Sequence, residues 1–301
     1  MEQGPGSSKQ NDKSPGTTFG RRVYKGVKMF QNEIEEIQTM EIKDDDIFVC
    51  TFPRSGTTLI QELVYLIVTM DFEKACNTFL GIRFPFLDLV NNDLPYDQGI
   101  KAVEKLESPR MIKSHLHHFL LPEQLRNGKG RIIYSVRNPK DAIVSLCKLF
   151  HWLNELGDSS YDDFIEEFIA GTGFACPWTK HVLEYWSRRD DSNVLFLKYE
   201  EVSRDRPTAI RKIAKFLGRD ITDDDIMKIS DHCSIENMKQ YFTTNLSHLG
   251  ESIPMNEESS GRFINSGKLG GWRDWLTEEQ STRIDKMLDE VEREGLEILH
   301  T

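Results

Sequence analysis

The chain has 301 residues, enough to bury a sizeable core, so one large α/β domain is the most economical prediction. Its formal net charge of −11 disfavours nucleic acid as a partner, because such partners require a basic face. The longest apolar run, residues 63–68, is too short to cross a bilayer. Five scattered cysteines without C-x-x-C spacing disfavour a disulfide framework or a zinc site. We therefore expect a cytoplasmic protein that has no membrane or nucleic-acid partner.

The chain begins with a segment of low hydrophobicity. Residues 1–18 are rich in Gly, Ser, Pro, Lys and Gln and contain almost no apolar side chains. Such a composition is typical of disorder. We therefore predict a disordered tail over residues 1–18 and a single folded domain over residues 19–301.

Short apolar strands alternate with helices along this domain. The predicted strands cover residues 47–52, 111–113, 131–136 and 194–197. The predicted helices cover residues 57–70, 139–152, 161–170, 177–188, 206–217, 222–229 and 278–297. This alternation predicts a central, mainly parallel sheet flanked by helices on both faces. Ligands bind beyond the carboxyl ends of the strands in such sheets.

Several helix boundaries carry clear signals. Asn138 followed by Pro139 is typical of a helix start, because Asn caps a helix and Pro is favoured at its first position. Gly218 marks a helix end. Thr277 and Gln280 have capping-box spacing at the start of the last helix.

A tight turn joins the first predicted strand to the first predicted helix. It contains Arg54, Ser55, Gly56, Thr57 and Thr58. Free N–H groups and a favourable dipole at a helix start form a phosphate cradle, to which a guanidinium and hydroxyls add contacts. The ATP-type pattern G-x-x-x-x-G-K-[ST] is absent. From these residues alone, an ordinary strand-to-helix turn is an equal alternative.

The second predicted strand ends in a cation, a hydroxyl and an imidazole. These are Lys113, Ser114 and His115. Histidine can accept a proton near neutral pH, so His115 is a candidate general base. A structural histidine is the alternative, since the chain has eight histidines and His117 and His118 follow closely.

The third predicted strand delivers Arg137 to a helix start, and Ser145 lies two turns along that helix. A guanidinium and a hydroxyl near a helix N-terminus suit a second phosphate. The alternative is a surface ion pair between Arg137 and Asp141. Two separated phosphate sites would distinguish a bisphosphorylated nucleotide from ATP.

These motifs resemble those of the cytosolic sulfotransferases, which have Tyr-Pro-Lys-Ser-Gly-Thr-Thr-Trp, Lys-Thr-His and Ala-Arg-Asn-x-Lys-Asp-x-x-x-Ser at the corresponding places. The resemblance covers roughly residues 24–290, with local similarity to the orphan brain-type branch around residues 55–67 and 192–200. It implies 3′-phosphoadenosine 5′-phosphosulfate (PAPS) as co-substrate, a phenol, alcohol or amine as small-molecule acceptor, and no metal.

The resemblance also implies roles for single residues. His115 is the implied catalytic base, with Arg54 and Lys113 stabilising charge during transfer and Ser114 beside the acceptor. Arg137 and Ser145 would bind the 3′-phosphate. The other positions implied to bind the nucleotide are Ser55, Gly56, Thr57, Thr58, Leu59, Tyr199, Cys233, Ser234, Ile235, Met238, Phe263, Asn265, Ser266 and Gly267. Candidate acceptor-pocket walls, predicted from the apolar sequence alone, include Phe84, Phe86 and Phe150, and core positions are an equal alternative for these aromatic residues.

Some positions depart from the family pattern. Leu59 and Ile235 replace aromatic residues, and Asn265 and Ser266 replace cations. These changes support a second hypothesis, a nucleotide- or small-molecule-binding protein that kept the fold and lost turnover. A small-molecule kinase is a third hypothesis, disfavoured because no ATP-type loop or evident Mg²⁺ carboxylate is present. The family's dimer motif is represented only by Arg273 and Thr277, which leaves a homodimer open.

Overall fold

The computed structural model describes residues 19–90, 93–246, 252–253, 255–256, 258–259, 262–264 and 267–299. The predicted disordered tail lies outside the described residues. So do Asn265 and Ser266, two of the positions predicted to bind the nucleotide.

Four parallel strands form the central sheet, in the order β4-β3-β5-β6. They are β3 (Ile47–Thr51), β4 (Met111–Ser114), β5 (Arg131–Val136) and β6 (Val194–Lys198). All four lie within one residue of their predicted bounds, so the parallel α/β architecture expected from the sequence is confirmed. Because the strands are parallel, their carboxyl ends meet at one edge of the sheet.

Two short strands, which the sequence pattern did not predict, form an antiparallel hairpin. They are β1 (Arg21–Tyr24) and β2 (Val27–Phe30). Lys25 and Gly26 join them with φ angles of 47° and 87°, values typical of a two-residue hairpin turn. The hairpin places Phe30 in the aromatic core, where its ring centre lies 4.5 Å from that of Phe174.

Fifteen α-helices surround the sheet in the described part of the chain. Those predicted from the sequence are α2 (Thr57–Thr69), α7 (Pro139–Trp152), α8 (Tyr161–Ile169), α9 (Trp178–Trp186), α11 (Arg206–Leu217), α12 (Asp223–His232) and α15 (Glu278–Arg293). The remaining, short helices are α1 (Ile34–Thr39), α3 (Phe72–Asn77), α4 (Leu80–Arg83), α5 (Gly99–Glu104), α6 (Glu123–Arg126), α10 (Tyr199–Arg204), α13 (Ile235–Gln240) and α14 (Phe242–Asn245). Two 3₁₀-helices, His118–Leu120 and Gly271–Asp274, complete the described elements.

The sheet separates two apolar cores. On β3, Phe48 and Cys50 belong to one core, while Ile47 and Val49 belong to the other, as expected for alternating side chains on a strand buried on both faces. Helices α7, α8, α9 and α15 pack into the first core, and α2, α11 and α12 pack into the second. None of the described helices is both long and apolar enough to span a membrane.

The three helix boundaries with clear sequence signals are confirmed, whereas the last helix ends at Arg293 and not at residue 297 as predicted. The side chain of Asn138 caps α7 by accepting a hydrogen bond from the Lys140 N–H at 2.9 Å. Gly218 ends α11 in the left-handed conformation, with φ 64°. A capping box at Thr277 opens α15. These caps satisfy polar groups that a helix end leaves unpaired.

Candidate active site

The turn between β3 and α2 has an unusual backbone. Arg54 and Gly56 have φ angles of 70° and 87°, and the Ser55 N–H donates to the Phe52 carbonyl at 3.2 Å. Helix α2 then begins at Thr57. The first N–H groups of a helix have no carbonyl partner within it. They are therefore available to an anion, as a phosphate cradle requires.

Position 56 has no room for a side chain, because the ring of Tyr199 packs closely against Gly56. A Cβ atom built on Gly56 would lie 2.3 Å from Cδ2 of the Tyr199 ring. The same ring also contacts Arg137, whose guanidinium carbon lies 4.6 Å from the ring centre. Arg137 Nη1 also donates to the Arg54 carbonyl at 3.1 Å. The turn, the tyrosine and the arginine thus form one packed unit.

Arg137 keeps donors that no described residue satisfies. It lies 4.0 Å from Asp141, but the carboxylate of Asp141 accepts hydrogen bonds from the N–H groups of Gly270 and Trp272 at 2.8 and 3.2 Å. Within the described part of the sequence, buried Arg137 Nε has no hydrogen-bond partner, and neither has Ser55 Oγ. Buried polar groups are normally paired. Arg137 lines the cavity described below, so its unpaired Nε indicates a polar ligand there.

Arg54 connects the turn to two other parts of the molecule. Its Nε donates to Ser145 Oγ of α7 at 3.0 Å, and its Nη2 donates to the Phe263 carbonyl at 2.7 Å. Burial, with a further contribution from nearby Arg137, lowers the pKa of Arg54 to about 10. The guanidinium therefore remains charged at neutral pH.

The tautomer of His115 is defined by Thr51. His115 Nδ1 lies 2.9 Å from the Thr51 carbonyl oxygen and 3.1 Å from Thr51 Oγ1. A carbonyl only accepts, so Nδ1 carries the proton and Nε2 keeps its lone pair. Burial, and then the charges of Lys113 and Arg54, hold the pKa of His115 well below its usual value. The imidazole is therefore neutral near pH 7, as a general base must be.

Lys113 lies one strand position before Ser114 and packs against an aromatic ring. Its ammonium nitrogen is 3.9 Å from the centre of the Phe86 ring, a cation–π contact. Burial lowers the pKa of Lys113 to about 8, an effect that Asp88 opposes and Arg54 reinforces. Lys113 is therefore mostly charged at neutral pH.

One cavity of about 570 Å³ joins these groups. The residues predicted to bind nucleotide or acceptor that line it are Arg54, Gly56, Thr57, Thr58, Leu59, Phe84, Phe86, Lys113, His115, Arg137, Ser145, Tyr199, Cys233, Ile235, Met238, Phe263 and Gly267. Three other predicted positions, Ser55, Ser114 and Ser234, are not among the lining residues. Ser114 Oγ donates to Asp88 Oδ1 at 2.7 Å, and Ser234 caps α13. Among the described residues, no group of three or more His, Cys, Asp or Glu side chains is placed to hold a metal ion.

Two apolar side chains lie at the positions where the family pattern has aromatic residues. Leu59 and Ile235 both line the cavity, together with Cys233 and Met238. Ile235 packs against Gly267, where an added Cβ would meet Ile235 Cδ1 at 3.1 Å. This part of the cavity is therefore apolar but not aromatic.

The other end of the cavity is lined by aromatic and aliphatic side chains, most of which the sequence pattern did not identify. Phe86 and Phe150 were predicted to line it. Phe19, Phe30 and Phe174 were not, although they also line the cavity. They come from the hairpin region and from a distant loop, so no local motif marks them.

Comparisons with known proteins agree with this geometry. The family model described as "Sulfotransferase domain" matches residues 44–294. An amine sulfotransferase of Oryctolagus cuniculus is 31% identical over 262 residues, which cover 85% of this protein and 84% of that one. Sulfotransferase 1C2 of Homo sapiens is 33% identical over 256 residues, 84% of each protein. A crystal structure of retinol dehydratase in complex with androsterone and the inactive cofactor PAP matches with a TM-score of 0.82 and 28% identity, covering 93% of this protein and 91% of that one.

The chain belongs to the sulfotransferase domain family. The family, the fold and the enzyme class predicted from the motifs are thereby confirmed.

Proposed function

We propose that this protein transfers the sulfuryl group of PAPS to a hydroxyl or amine of a small molecule, with His115 as general base. One observation carries the proposal. Two arginines, of which Arg137 is buried and Arg54 is partly buried, line one cavity together with an ammonium group and a neutral imidazole, at the carboxyl edge of a parallel sheet. The complex of retinol dehydratase with PAP supports the choice of nucleotide.

Two groups of residues would hold the nucleotide. The N–H groups at the start of α2, with the hydroxyls of Thr57 and Thr58, face the cavity and suit the 5′-phosphosulfate. Arg137 and Ser145 suit the 3′-phosphate. The unpaired Nε of Arg137 fits this assignment, because a phosphate oxygen would complete its hydrogen bonding.

His115 would take the proton of the acceptor. Thr51 holds Nδ1, so the lone pair of Nε2 is the available base. Because burial keeps the imidazole neutral, the base is ready at physiological pH. A positioned base of this kind contributes about 10²–10⁴-fold to a rate.

Lys113 and Arg54 would stabilise negative charge. Both cations line the cavity, and both remain mostly charged at neutral pH. Fixed charges in a buried site act more strongly than in water and need no reorganisation during the reaction.

The acceptor would occupy the aromatic end of the cavity. Phe30, Phe86, Phe150 and Phe174 line this end, which favours an apolar molecule that carries one reactive group. Named relatives provide the first acceptors to test: an amine, from the amine sulfotransferase, and androsterone, from the retinol dehydratase complex.

We further propose that residues 19–301 form one domain that acts in the cytoplasm. The cytoplasmic location is supported by the five cysteines, all of which are free. Four of them are buried, as expected for thiols that act as small core residues in a reducing compartment.

The test is a transfer assay with PAPS labelled in the sulfuryl group, using a panel of phenols, amines, steroids and aliphatic alcohols. Labelled product with at least one acceptor is the expected result. A matched reaction with γ-labelled ATP should give no product. Tight binding of the desulfated nucleotide without transfer to any acceptor would favour the alternative hypothesis of a binding protein, and transfer from ATP would favour a kinase.

A further inference from the structure

Asp88 is a buried carboxylate beneath the proposed base. Residues 85–87 run beside β4: the Lys113 N–H donates to the Pro85 carbonyl, and the Leu87 N–H donates to the Lys113 carbonyl, both at 2.9 Å. This pairing carries Asp88 to the end of the strand. Its side chain is fully buried and is not among the residues that line the cavity. Asp88 therefore acts on the site only through its neighbours.

Both oxygens of Asp88 accept hydrogen bonds from the strand end that carries the base. Ser114 Oγ donates to Oδ1 at 2.7 Å, and the backbone N–H of His115 donates to Oδ2 at 2.5 Å. Such charge-assisted bonds are stronger than neutral ones. The carboxylate therefore holds both His115 and Ser114 in place.

The carbonyl of His115 is held from the other side by His181. The carbonyl accepts from His181 Nε2 at 3.2 Å, so Nδ1 of His181 carries no proton and accepts from Tyr134 OH at 2.9 Å. Thr51 holds the ring of His115. Hydrogen bonds therefore hold His115 at three points: its backbone N–H, its backbone carbonyl and its ring Nδ1. These contacts fix the direction of Nε2.

Asp88 also interacts electrostatically with Lys113, and this interaction raises the pKa of the lysine. The pKa of Lys113 is lowered by burial and by Arg54, and Asp88 is the charge that opposes both. Two cations, Lys113 and Arg54, lower the pKa of His115. A carboxylate beside this cluster therefore helps to keep Lys113 protonated.

We propose that Asp88 is a positioning residue for sulfuryl transfer, which holds the backbone of His115 and balances the charge of Lys113. The inference rests on the proposed role of His115. Asp88 lies outside the cavity, and its role is to orient His115, the proposed base.

The pH dependence follows from the same contacts. Burial raises the pKa of Asp88 to about 7, although Ser114, the His115 N–H and Lys113 all oppose the shift. From β3, the thiol of Cys50 also interacts with this carboxylate. Asp88 is charged above about pH 7 and becomes neutral as the pH falls through that value. His115 loses its lone pair only at a much lower pH, because its own pKa lies well below 6.5.

The test compares the pH profiles of kcat/KM for wild type and Asp88→Asn, since this ratio reports the free enzyme. Wild type should lose activity below about pH 7 through Asp88, and above about pH 8 through Lys113. Asp88→Asn should lower kcat/KM about 10–100-fold, because a misplacement of about 1 Å at a reacting group can cost about 10²-fold in rate. Its acidic limb should shift well below pH 7, and its alkaline limb should shift below pH 8. Asp88→Glu, which keeps the charge, should restore part of the activity.

Asp46→Asn is the matched control. Asp46 is equally buried but lies at the amino end of β3, where it accepts a hydrogen bond from Arg110 Nε at 2.7 Å. This variant should be less stable yet keep the wild-type pH profile. A destabilised fold alone therefore does not reproduce the result expected for Asp88→Asn.

A folded Asp88→Asn enzyme with kcat/KM within about twofold of wild type and an unchanged profile would overturn the proposal. If Asp88→Asn does not fold, the wild-type profile decides: an acidic limb near pH 7 supports the role of Asp88, and one found only well below 6.5 contradicts it. His115→Ala separates the proposed role of Asp88 from the proposed role of His115 as general base. A normal Asp88→Asn enzyme beside an inactive His115→Ala enzyme refutes only the role of Asp88, whereas an active His115→Ala enzyme refutes the proposed base.

Discussion

At the scale of single residues, the candidate site is organised around two neighbouring guanidinium groups. Arg137 donates to the carbonyl of Arg54 at 3.1 Å, and both side chains are largely buried. Asp141, which lies 4.0 Å from Arg137, holds the N–H groups of Gly270 and Trp272. Buried like charges repel each other, so an anionic ligand between them lowers the free energy of the site.

Arg137 gives a direct test of the 3′-phosphate assignment. Arg137→Ala should weaken binding of the desulfated nucleotide, PAP, by about 1.5–3 kcal/mol, the usual contribution of a hydrogen bond to a charged group. Binding of the analogue without the 3′-phosphate should change much less. Calorimetric titration measures both affinities. Arg188→Ala, at an exposed ion pair with Asp191, is the control and should leave both affinities unchanged.

An equal loss of affinity for the two nucleotides in Arg137→Ala would remove Arg137 from the 3′-phosphate site. The guanidinium would then act through Tyr199 and the turn at Arg54, the groups it contacts in the structure.

The sequence located most of the polar residues that meet in the cavity, because each lies in a motif at a strand end or helix start. Lys113, His115 and Arg137 are examples. It did not find Asp88, since no motif marks this residue and its partners lie 26 and 27 residues further along the sequence. Ser114 was expected beside the acceptor, whereas its hydroxyl donates to this carboxylate.

At the scale of secondary-structure elements, elements with strong local signals were predicted well. Buried strands appear as apolar runs, and helix ends carry caps such as Asn138 and Gly218. The hairpin β1–β2 was missed for a physical reason. Its strands have four residues each, and Arg21, Arg22 and Val23 in β1 are all at least partly exposed, so no regular alternation of apolar and polar residues appears.

The turn between β3 and α2 is the element on which the proposed nucleotide site depends. Gly56→Ala would place a methyl group 2.3 Å from the Tyr199 ring in a backbone with φ 87°. The ring must move, and Arg137 packs against it at 4.6 Å. We therefore expect a loss of affinity for PAP of at least about tenfold, or 1.4 kcal/mol.

Gly218→Ala is the matched control for this turn. Gly218 also has a positive φ, 64°, but an added Cβ would meet nothing within 4 Å. It should carry a similar conformational cost, about 1 kcal/mol of stability, without weakening nucleotide binding. If Gly56→Ala binds PAP as well as Gly218→Ala does, the close contact with Tyr199 does not shape the site.

At the scale of the whole molecule, the cavity is a product of long-range packing. Phe30 from the hairpin, Phe86 near β4, and Phe174 from a loop after α8 meet at its apolar end. They are far apart in sequence, so their meeting follows from the fold and not from local patterns. For this reason the sequence predicted more of the polar residues that line the cavity than of the aromatic ones.

The hypothesis of a binding protein without turnover also belongs at this scale. It rests on Leu59 and Ile235, which replace aromatic residues, and on Asn265 and Ser266, which lie outside the described residues. Leu59 and Ile235 still present apolar surface to the cavity, where burying an adenine contributes about 25 cal/mol per Å² of apolar area. If adenine binds there, as we propose, the loss of stacking would weaken nucleotide binding without removing the reacting groups.

The most direct measurement of the central claim is the turnover of His115→Ala at saturating nucleotide. We predict a fall in kcat of about 10²–10⁴-fold with nearly unchanged affinity for PAP, because the variant removes the base and leaves the phosphate contacts. His117→Ala is the control. His117 Nε2 donates to the Ala175 carbonyl at 3.1 Å in the core, so this variant should lose stability and keep its turnover. Full activity in His115→Ala, or loss of turnover in folded His117→Ala instead, would contradict the account.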